Sequence, residues 1–567
     1  MSLTSAFMLW RVARPYARLV RTADALLRVG VIRSIRLIRR PVSVGSSLQA
    51  GVRLLVSRPA SVLPVYLLVL GLTAAARVPI LLAVAIIIAL LAADGRLQTL
   101  VQETQEAIEG IDPDVEPTPE NIVDTFPESL EAAIIDVFTP TVVLLIFLGI
   151  GLSILVALVA NALGNAAALN GVYGALRDDN AALAAVSGIG RDWKPFVGLA
   201  VVQAAIVILL ALPVVVGLSL FAVSGVAGGF ATGLAVLFSG SLLLVATLLL
   251  AFTGQSIVID RVGLAPAIRN SVRFPLERPA AFVGYILVAL GVFGLFSLLS
   301  SIFGVLGVSQ LSGIVGPLVL FAFLDIFKVV LYADRAFPAV SEPTRRVAPG
   351  TTEATVIDNE STESATTPGL PRRFVAAFSD GLRATGGFVR SHPIPVVGAT
   401  VVFALASLIG FQLTAQIGTD LPVPEEIGEV FGTFPVATFI MIAANNWLVS
   451  ATAAFGGVAF GLPTLFDMLL NGALAGAVYG ITDPLAFTAL VGPHGIIELP
   501  AIFVAGGLGF HIAAVTIGVL TGRRTQADLA DSLMLAYRVL LGLAVILVIA
   551  AFVEAFLTPP IAAAILG

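Results

Sequence analysis

Long apolar segments, most of about 20 residues or more, constrain this chain more than any other feature of its sequence. A helix needs about 20 mostly apolar residues to cross the hydrocarbon core of a bilayer. Because lipid offers the backbone no hydrogen-bond partners, each segment is expected to be helical, and none has the short alternating pattern of a barrel strand. With 58% hydrophobic and 12% charged residues, the chain also lies outside the range of soluble globular proteins. The sequence therefore predicts an all-α, polytopic transmembrane helical bundle with about eleven spans.

Changes in composition divide the chain into two membrane halves and two polar segments. The first 58 residues carry eleven arginines against one acid, Asp24, which is typical of amphipathic helices on an inner leaflet. Residues 338–371 are rich in Pro, Thr, Ser and acids, with too little apolar material for a packed core. The predicted regions are a basic amphipathic cytoplasmic segment at 1–58, a six-span membrane domain at 59–337 with an acidic outer loop at 97–137, a disordered cytoplasmic linker at 338–371, and a five-span membrane domain at 372–567.

Charged residues in the connections predict the orientation. Eleven acids and no base lie between Glu103 and Asp136, so this segment is expected to be a solvated loop outside the cell. Arginines concentrate in the first 58 residues and in alternate connections, which places those segments in the cytoplasm. With an odd number of spans, the N-terminus is then cytoplasmic and the C-terminus outside, in a multi-pass protein of the plasma membrane. The connection that holds Arg177 and Lys194 is expected to include a surface helix before a span that begins near Phe196.

The first half holds two polar pairs inside its apolar segments. Asn161 and Asn165 are four residues apart, and such amides usually hydrogen-bond across to neighbouring helices. Asp325 and Lys328 are three residues apart and are expected to neutralise each other near the inner end of their span. The alternative for the asparagines is a transport path.

The basic residues are almost all arginines, because Lys194 and Lys328 are the only lysines, and the loops are acidic. This composition suggests a salt-loving archaeal source. The chain has no cysteine, which excludes disulfides and thiolate metal sites.

The second half concentrates polar side chains in its apolar spans. A carboxylate at membrane depth costs about 2.5 kcal/mol or more unless it is paired or neutralised, so several together are expected to meet inside the bundle. His494 and Glu498 share a helical face, and so do Asp467 and Asn471. The span that contains His494 is predicted to run from about His494 to Leu520. The predicted functional polar cluster is Asn445, Asn446, Asp467, Asn471, His494, Glu498 and Glu554.

Three interpretations of this cluster remain open. In the first, Pro493 starts a helix and the polar network only fixes helix packing. In the second, the cluster is a conduit for protons, ions or a small substrate. In the third, His494 and Glu498 hold a catalytic metal with a third ligand from Asp467, His511 or Glu554.

No complete catalytic signature is present: the sequence contains no HExxH, no GxSxG and no Walker loop. Catalytic residues, a metal and a cofactor are therefore not predicted, and the protein is expected not to be an enzyme.

Glycines in the second half recur at spacings that allow helices to approach closely. They are expected to pack helices within the chain, and a homo-oligomer is the alternative. The predicted packing glycines are Gly457, Gly461, Gly472, Gly476 and Gly480.

Four fragments of the second half occur in an order that resembles the stage II sporulation protein M family. They are AANNW with Asn445 and Asn446, GGVAFGLPTLFDMLLNGALAG, PHGIIELPAIFVAGGLG, and ILVIAAFVEAFLTPP with Glu554. The resemblance covers about residues 374–559. It implies a five-span membrane protein that, in spore-forming bacteria, holds cell-wall hydrolases at the membrane during engulfment.

The first half is similar to multi-span domains of archaeal membrane proteins that share features with the membrane part of some glycerophosphodiester phosphodiesterases. The similarity rests on units of a surface helix followed by a span, such as APAIRNSVRFPLERPAAFVGYILVAL. The sequence as a whole suggests a non-enzymatic organiser or scaffold for partners in envelope or membrane remodelling. The alternative is a transporter or channel for an ion, a small solute or a lipid-linked substrate that uses the buried His, Glu and Asp residues. The expected partners are the lipid bilayer and envelope or membrane proteins, without nucleic acid.

Overall fold

A computed structural model describes residues 43–109, 127–335, 337–338, 369–415 and 435–566. These residues form helices joined by short turns, and the described ranges contain no strand. The predicted all-α fold is confirmed. Residues 1–42 of the predicted basic segment and 339–368 of the predicted linker lie outside the described residues.

Among the residues that the structure describes, eleven helices are long and apolar enough to cross a membrane, which makes this a multi-pass membrane protein. Six precede the predicted linker and five follow it, as the sequence analysis expected. The spans are α1 (Pro59–Ala93), α2 (Pro140–Leu176), α3 (Ala181–Val223), α4 (Gly225–Asp260), α5 (Pro279–Val305), α6 (Gln310–Ala333), α7 (Pro393–Thr414), α8 (Val436–Ala459), α9 (Leu462–Gly480), α10 (Pro484–Leu520) and α11 (Gln526–Leu566).

Three spans begin at a proline, and a single junction residue separates that proline from a preceding amphipathic helix. The amphipathic helices cover Val44–Ser57, Leu264–Glu277 and Leu370–Ser391, and they precede α1, α5 and α7. The junction residues Arg58, Arg278 and His392 have φ between −140° and −130° and ψ between 51° and 62°. A residue before proline is pushed out of the helical region, so the chain changes direction here. This unit of surface helix and span therefore occurs in both halves.

The surface helix expected before Phe196 is not separate. Residues Ala181–Val223 form one helix of 43 residues, so the prediction of a break at this point was wrong. Pro195 lies inside the helix and costs it one backbone hydrogen bond. Packing of the first turns compensates, because Ala181, Ala185 and Gly188 are buried against neighbouring helices.

The acidic connection between α1 and α2 is helical in its described parts, although a solvated loop was expected. Helices cover Arg96–Glu109 and Glu128–Val137 and lie against each other. Arg96 joins them, because its Nε lies 3.5 Å from Asp94 and 3.2 Å from Asp136. Residues 110–126, between the two helices, lie outside the description.

The two halves pack into one bundle through α1 and α8. A Cβ atom added at Gly71 of α1 would lie 2.1 Å from the backbone oxygen of Phe455 in α8. Real Cβ atoms do not approach so closely, so the two backbones meet at a point that only glycine allows. The N-terminal part of α3 also packs on α11.

The ends of α2 and α3 are tied together by a buried polar network. The Asn170 amide donates to an Asp192 carboxylate oxygen at 3.0 Å, and Arg191 donates to Asn170 at 2.5 Å and to Asp192 at 2.9 Å. Asn170 and Asp192 are only 3% and 7% exposed. Each polar atom named here has a partner, as buried polar groups require.

Candidate functional site

Span α10 begins at Pro484, ten residues earlier than the sequence analysis expected. Asp483 caps it, because its Oδ1 accepts from the backbone N–H groups of Leu485 and Ala486 at 2.9 Å each. Pro493 therefore lies inside the helix, and the expectation that it starts the helix was wrong. As a result, His494 and Glu498 lie well within a membrane span.

Pro493 removes one backbone hydrogen bond from the helix next to His494. Proline has no N–H, so the carbonyl of Ala489 lacks its usual helical donor. Such prolines are tolerated in membrane helices when neighbouring groups satisfy the backbone.

Glu554 lies in a wide turn of α11. Residues Val553–Leu557 form a π-helical segment, in which the backbone N–H of Thr558 bonds to the carbonyl of Val553, five residues earlier. Pro559 and Pro560 follow at once and cannot donate to the preceding turn, which accounts for the irregular pairing. Single π turns are frequent at functional sites because the extra residue redirects a side chain.

Spans α10 and α11 bring three titratable side chains together, and we call them the His–Glu–Glu cluster: His494, Glu498 and Glu554. Ligand atoms of the three lie within 4.8 Å of one another. His494 Nε2 is 3.9 Å from Glu554 Oε2, and the two side chains are only 12% and 23% exposed. His494 Nδ1 is buried and has no hydrogen-bond partner in the described part of the chain.

The chemistry of this cluster suits a cation. One imidazole nitrogen and two carboxylate oxygens are ligands for a divalent transition metal, with coordination positions left open. Ligands at about 2.1 Å from a metal lie at most about 4.2 Å apart, so the observed spacing would close on a metal with a small side-chain movement. A proton shared between the carboxylates would also relieve their repulsion.

The other predicted members of the polar cluster lie elsewhere. Asp467 has Arg77 and Thr452 as its polar neighbours, and its buried Oδ2 has no hydrogen-bond partner among the described residues. The Asn471 amide donates to the Asp467 backbone carbonyl at 2.7 Å. Asn445 and Asn446 contact each other at 3.4 Å, with Asn445 exposed. The structure thus brings together three of the seven residues singled out in the sequence.

The remaining histidines form a separate pair. The ring centres of His392 and His511 lie 4.3 Å apart, and both rings contact Phe388. The Nε2 atom of His511 lies 3.5 Å from the Ser532 hydroxyl. His392 is the junction residue before α7. His511 was one of three candidates for a third metal ligand, and among them the structure brings Glu554 to His494 and Glu498.

The predicted packing glycines lie at close helix contacts within the chain. Cβ atoms added at Gly472 and Gly476 of α9 would lie 2.4 and 1.8 Å from backbone oxygens of α7. One added at Gly457 of α8 would lie 2.2 Å from the Gly509 carbonyl of α10. These contacts hold α7 against α9 and α8 against α10. Gly461 and Gly480 also lie against neighbouring side chains or backbone.

The first half contains a polar cavity that the sequence analysis did not find. Asn161 and Asn165 line it. Their amides donate to backbone carbonyls of their own helix at 2.8 and 2.9 Å. These bonds replace the bonds to neighbouring helices that the sequence predicted. Asp325 and Lys328 line it as well. The signal available in the sequence was the recurrence of amides in separate apolar spans, at Asn161, Gln203 and Gln255.

Comparison with known proteins places the second half in a family. The family model described as Stage II sporulation protein M matches residues 399–559. An uncharacterized protein of Methanocaldococcus jannaschii is 31% identical over 180 residues, which cover 96% of that protein and 30% of this chain. No solved structure matches the chain. The match to nearly the whole archaeal relative, together with the family model, shows that this chain belongs to the stage II sporulation protein M family.

Proposed function

We propose that this protein is a membrane transporter that moves a cation, either a proton or a metal ion, through its second half. The observation that carries the proposal is the meeting of His494, Glu498 and Glu554 inside two apolar spans. Helix packing alone does not require two carboxylates at one point. Ionisable residues inside membrane spans are typical of ion and proton paths.

Charge is the first argument. If both carboxylates are ionised, the cluster carries two negative charges with a neutral imidazole and one with a protonated imidazole. A carboxylate at membrane depth costs about 2.5–3.5 kcal/mol on insertion scales. The cluster is therefore most stable when it holds one or two positive charges from a bound cation, and it releases this stabilisation when the cation leaves.

Depth is the second argument. His494 and Glu498 follow Pro484 by ten and fourteen residues, which is about 15 and 21 Å along the axis at about 1.5 Å per residue. Glu554 precedes the end of α11 at Leu566 by twelve residues, or about 18 Å. All three lie well away from the ends of their helices. Ionisable residues inside membrane spans mark ion or proton paths.

The test is cation flux into liposomes that contain the purified protein, followed with a pH-sensitive dye and with a Mn²⁺-sensitive dye. We expect Glu498→Gln and Glu554→Gln each to lower the flux at least tenfold. The matched control is Asp467→Asn, which changes a membrane carboxylate outside the cluster and is expected to leave the flux within twofold. Normal flux in both glutamine variants would remove the cluster from the mechanism.

A membrane organiser is the second candidate, favoured by the family and by the first half. The name of the family refers to sporulation, and α3 and α4 pack on each other while only 6% of the most apolar stretch of each is buried. Such a pair offers a long face to another membrane protein. Purification in mild detergent with partners identified by mass spectrometry tests this function, and normal division and envelope shape in a deletion strain would count against it.

The proposed orientation follows from the charge of the connections: a plasma-membrane protein with its N-terminus in the cytoplasm and its C-terminus outside. The archaeal relative supports the proposal of an archaeal source. The proposal that this source is salt-loving is supported only by the amino-acid composition. The chain lacks cysteine, so single cysteines can be introduced without background. We expect labelling of intact cells at Thr118→Cys and none at Thr355→Cys, and the reverse pattern would invert the orientation.

A further inference from the structure

A polar cavity of about 250 Å³ lies among the spans of the first half. It lies between α2, α3, α4, α5 and α6 and is separate from the His–Glu–Glu cluster of the second half. The polar residues of its wall are Asn161, Asn165, Gln203, Thr247, Gln255, Tyr285, Asp325 and Lys328.

Two opposite charges face this cavity, and each is held by a different neighbour. Asp325 accepts a hydrogen bond of 2.9 Å from the hydroxyl of Tyr66, which is 5% exposed. The Lys328 ammonium lies 5.6 Å from the ring centre of Tyr285 and 5.9 Å from that of Phe252. Rings at this distance attract a cation without using up its hydrogen-bond donors. The lysine therefore keeps donors for an anionic ligand.

The neutral wall suits a ligand with several polar atoms. Side-chain amides each carry both donors and an acceptor, and Gln255 is held in place because it is only 1% exposed. Together with the separated charges, they form a site that is neutral overall but has a negative and a positive side. Such a site matches a ligand that carries an anionic group next to a cationic or hydroxyl-bearing group.

An apolar cleft continues from this cavity between α3 and α4. Its volume is about 150 Å³, and it shares Gln203, Thr247 and Leu250 with the polar cavity. The rest of the cleft is formed by Ile206, Val207, Leu243 and Ala246. A polar cavity joined to an apolar cleft is complementary to an amphiphile, which has a polar and an apolar part.

We infer that the first half binds one phospholipid, with its headgroup in the polar cavity and a hydrocarbon chain in the cleft between α3 and α4. Lys328 contacts the phosphate, for which a lysine is a suitable point charge. Asp325 accepts from an ammonium or hydroxyl of the headgroup. Asp325 and Lys328 already attract each other, and the headgroup gives each of these two buried charges a further partner. The inference stands independently of cation transport.

The test uses phosphatidylethanolamine as the probe, with the full-length protein in mild detergent and native mass spectrometry as the readout. We expect one tightly bound lipid in the unaltered protein. Lys328→Gln, which removes the positive charge, and Ala246→Phe, which fills the cleft, are each expected to lower the bound fraction at least tenfold. Ser241→Ala is the matched control, because Ser241 lies on α4, is exposed and bonds only to its own helix, and we expect no change in binding.

Ala246→Phe keeps every charge, so it decides the question even if Lys328→Gln does not fold. Equal binding in the control and in Ala246→Phe would overturn the inference. Free phosphoethanolamine distinguishes a lipid from a soluble ligand of the same chemistry. We expect it to compete at least tenfold less well than the lipid, and equal competition would overturn the assignment to a lipid.

Discussion

The two halves of this protein differ in how much of their apolar spans is buried. In α3 and α4 of the first half, only 6% of the most apolar stretch is buried inside the protein, against 61% in α10 and 44% in α11 of the second half. Exposed helices of the first half, together with the better buried α6, surround a polar cavity. The second half instead packs helix on helix around a small set of titratable groups.

Glycine contacts account for much of this difference. In the second half, Cβ atoms added at Gly410, Gly476 and Gly509 would fall 1.8–2.2 Å from backbone oxygens of other helices. In α4 of the first half, Cβ atoms added at Gly233 and Gly240 would meet nothing within 4 Å. Without a hydrophobic force between helices in lipid, such close backbone contact is what holds spans together. The first half has close glycine contacts as well, at Gly71 and Gly228, but the middle of α4 lacks them.

Replacing Gly476 should have the largest effect on stability. Overpacking a tight core costs about 1–3 kcal/mol and sometimes more, and here the added side chain would meet the backbone of Ser407. We expect Gly476→Leu to lose most of its folded protein, measured as the monodisperse fraction in detergent.

The matched substitution in the first half is Gly240→Leu, which points into open space and is expected to leave that fraction unchanged. Equal losses in both variants would break the comparison between a tightly packed and an open half.

Asp192→Ala should have a smaller but clear effect. The substitution removes one of the two acceptors of the buried Asn170 amide, which keeps only the Ala166 carbonyl, and it also removes the carboxylate that accepts from Arg191. A buried donor that loses its partner costs about 1–3 kcal/mol. The control is Asp380→Ala, because its pair with Arg383 is 64–77% exposed and such pairs contribute about 0–1 kcal/mol. We expect a lower melting temperature for the first variant alone. An unchanged melting temperature for Asp192→Ala would show that the first half does not depend on this network.

Glu554→Gln should have the smallest effect, and its direction is informative. The neutral amide keeps the shape of the side chain and removes one of two neighbouring carboxylates, so we expect a melting temperature that is equal or slightly higher. A cluster that only fixes helix packing would instead lose stability. A clear drop in the melting temperature would therefore favour the structural interpretation.

The fold was largely predictable from the sequence because long apolar segments can only be helical spans in lipid. The eleven spans, the two halves and the family followed from this pattern and from four motifs. Boundaries were less predictable, as shown by α10, where Pro493 suggested a start but Asp483 provides the cap. Prolines inside spans are tolerated when packing holds the helix, and packing is not visible in a sequence.

The residues of the candidate site could be predicted from the sequence, but which of them lie together in the fold could not. The spacing of His494 and Glu498 places them on one helical face. The position of Glu554 beside them depends on how α11 packs on α10 and on the π turn at Val553–Leu557. Asp467 looked equivalent in the sequence, yet it is not among the three side chains that meet. The first-half cavity was missed because it is formed where several helices fail to touch.

The most direct test of the account is cation flux and melting temperature measured on the same preparation of Glu498→Gln. The proposed cation site predicts a flux at least tenfold below that of the unaltered protein, with a melting temperature that is equal or higher. Unchanged flux, or a loss of flux that only accompanies a fall in melting temperature, would contradict the claim that the His–Glu–Glu cluster carries the function.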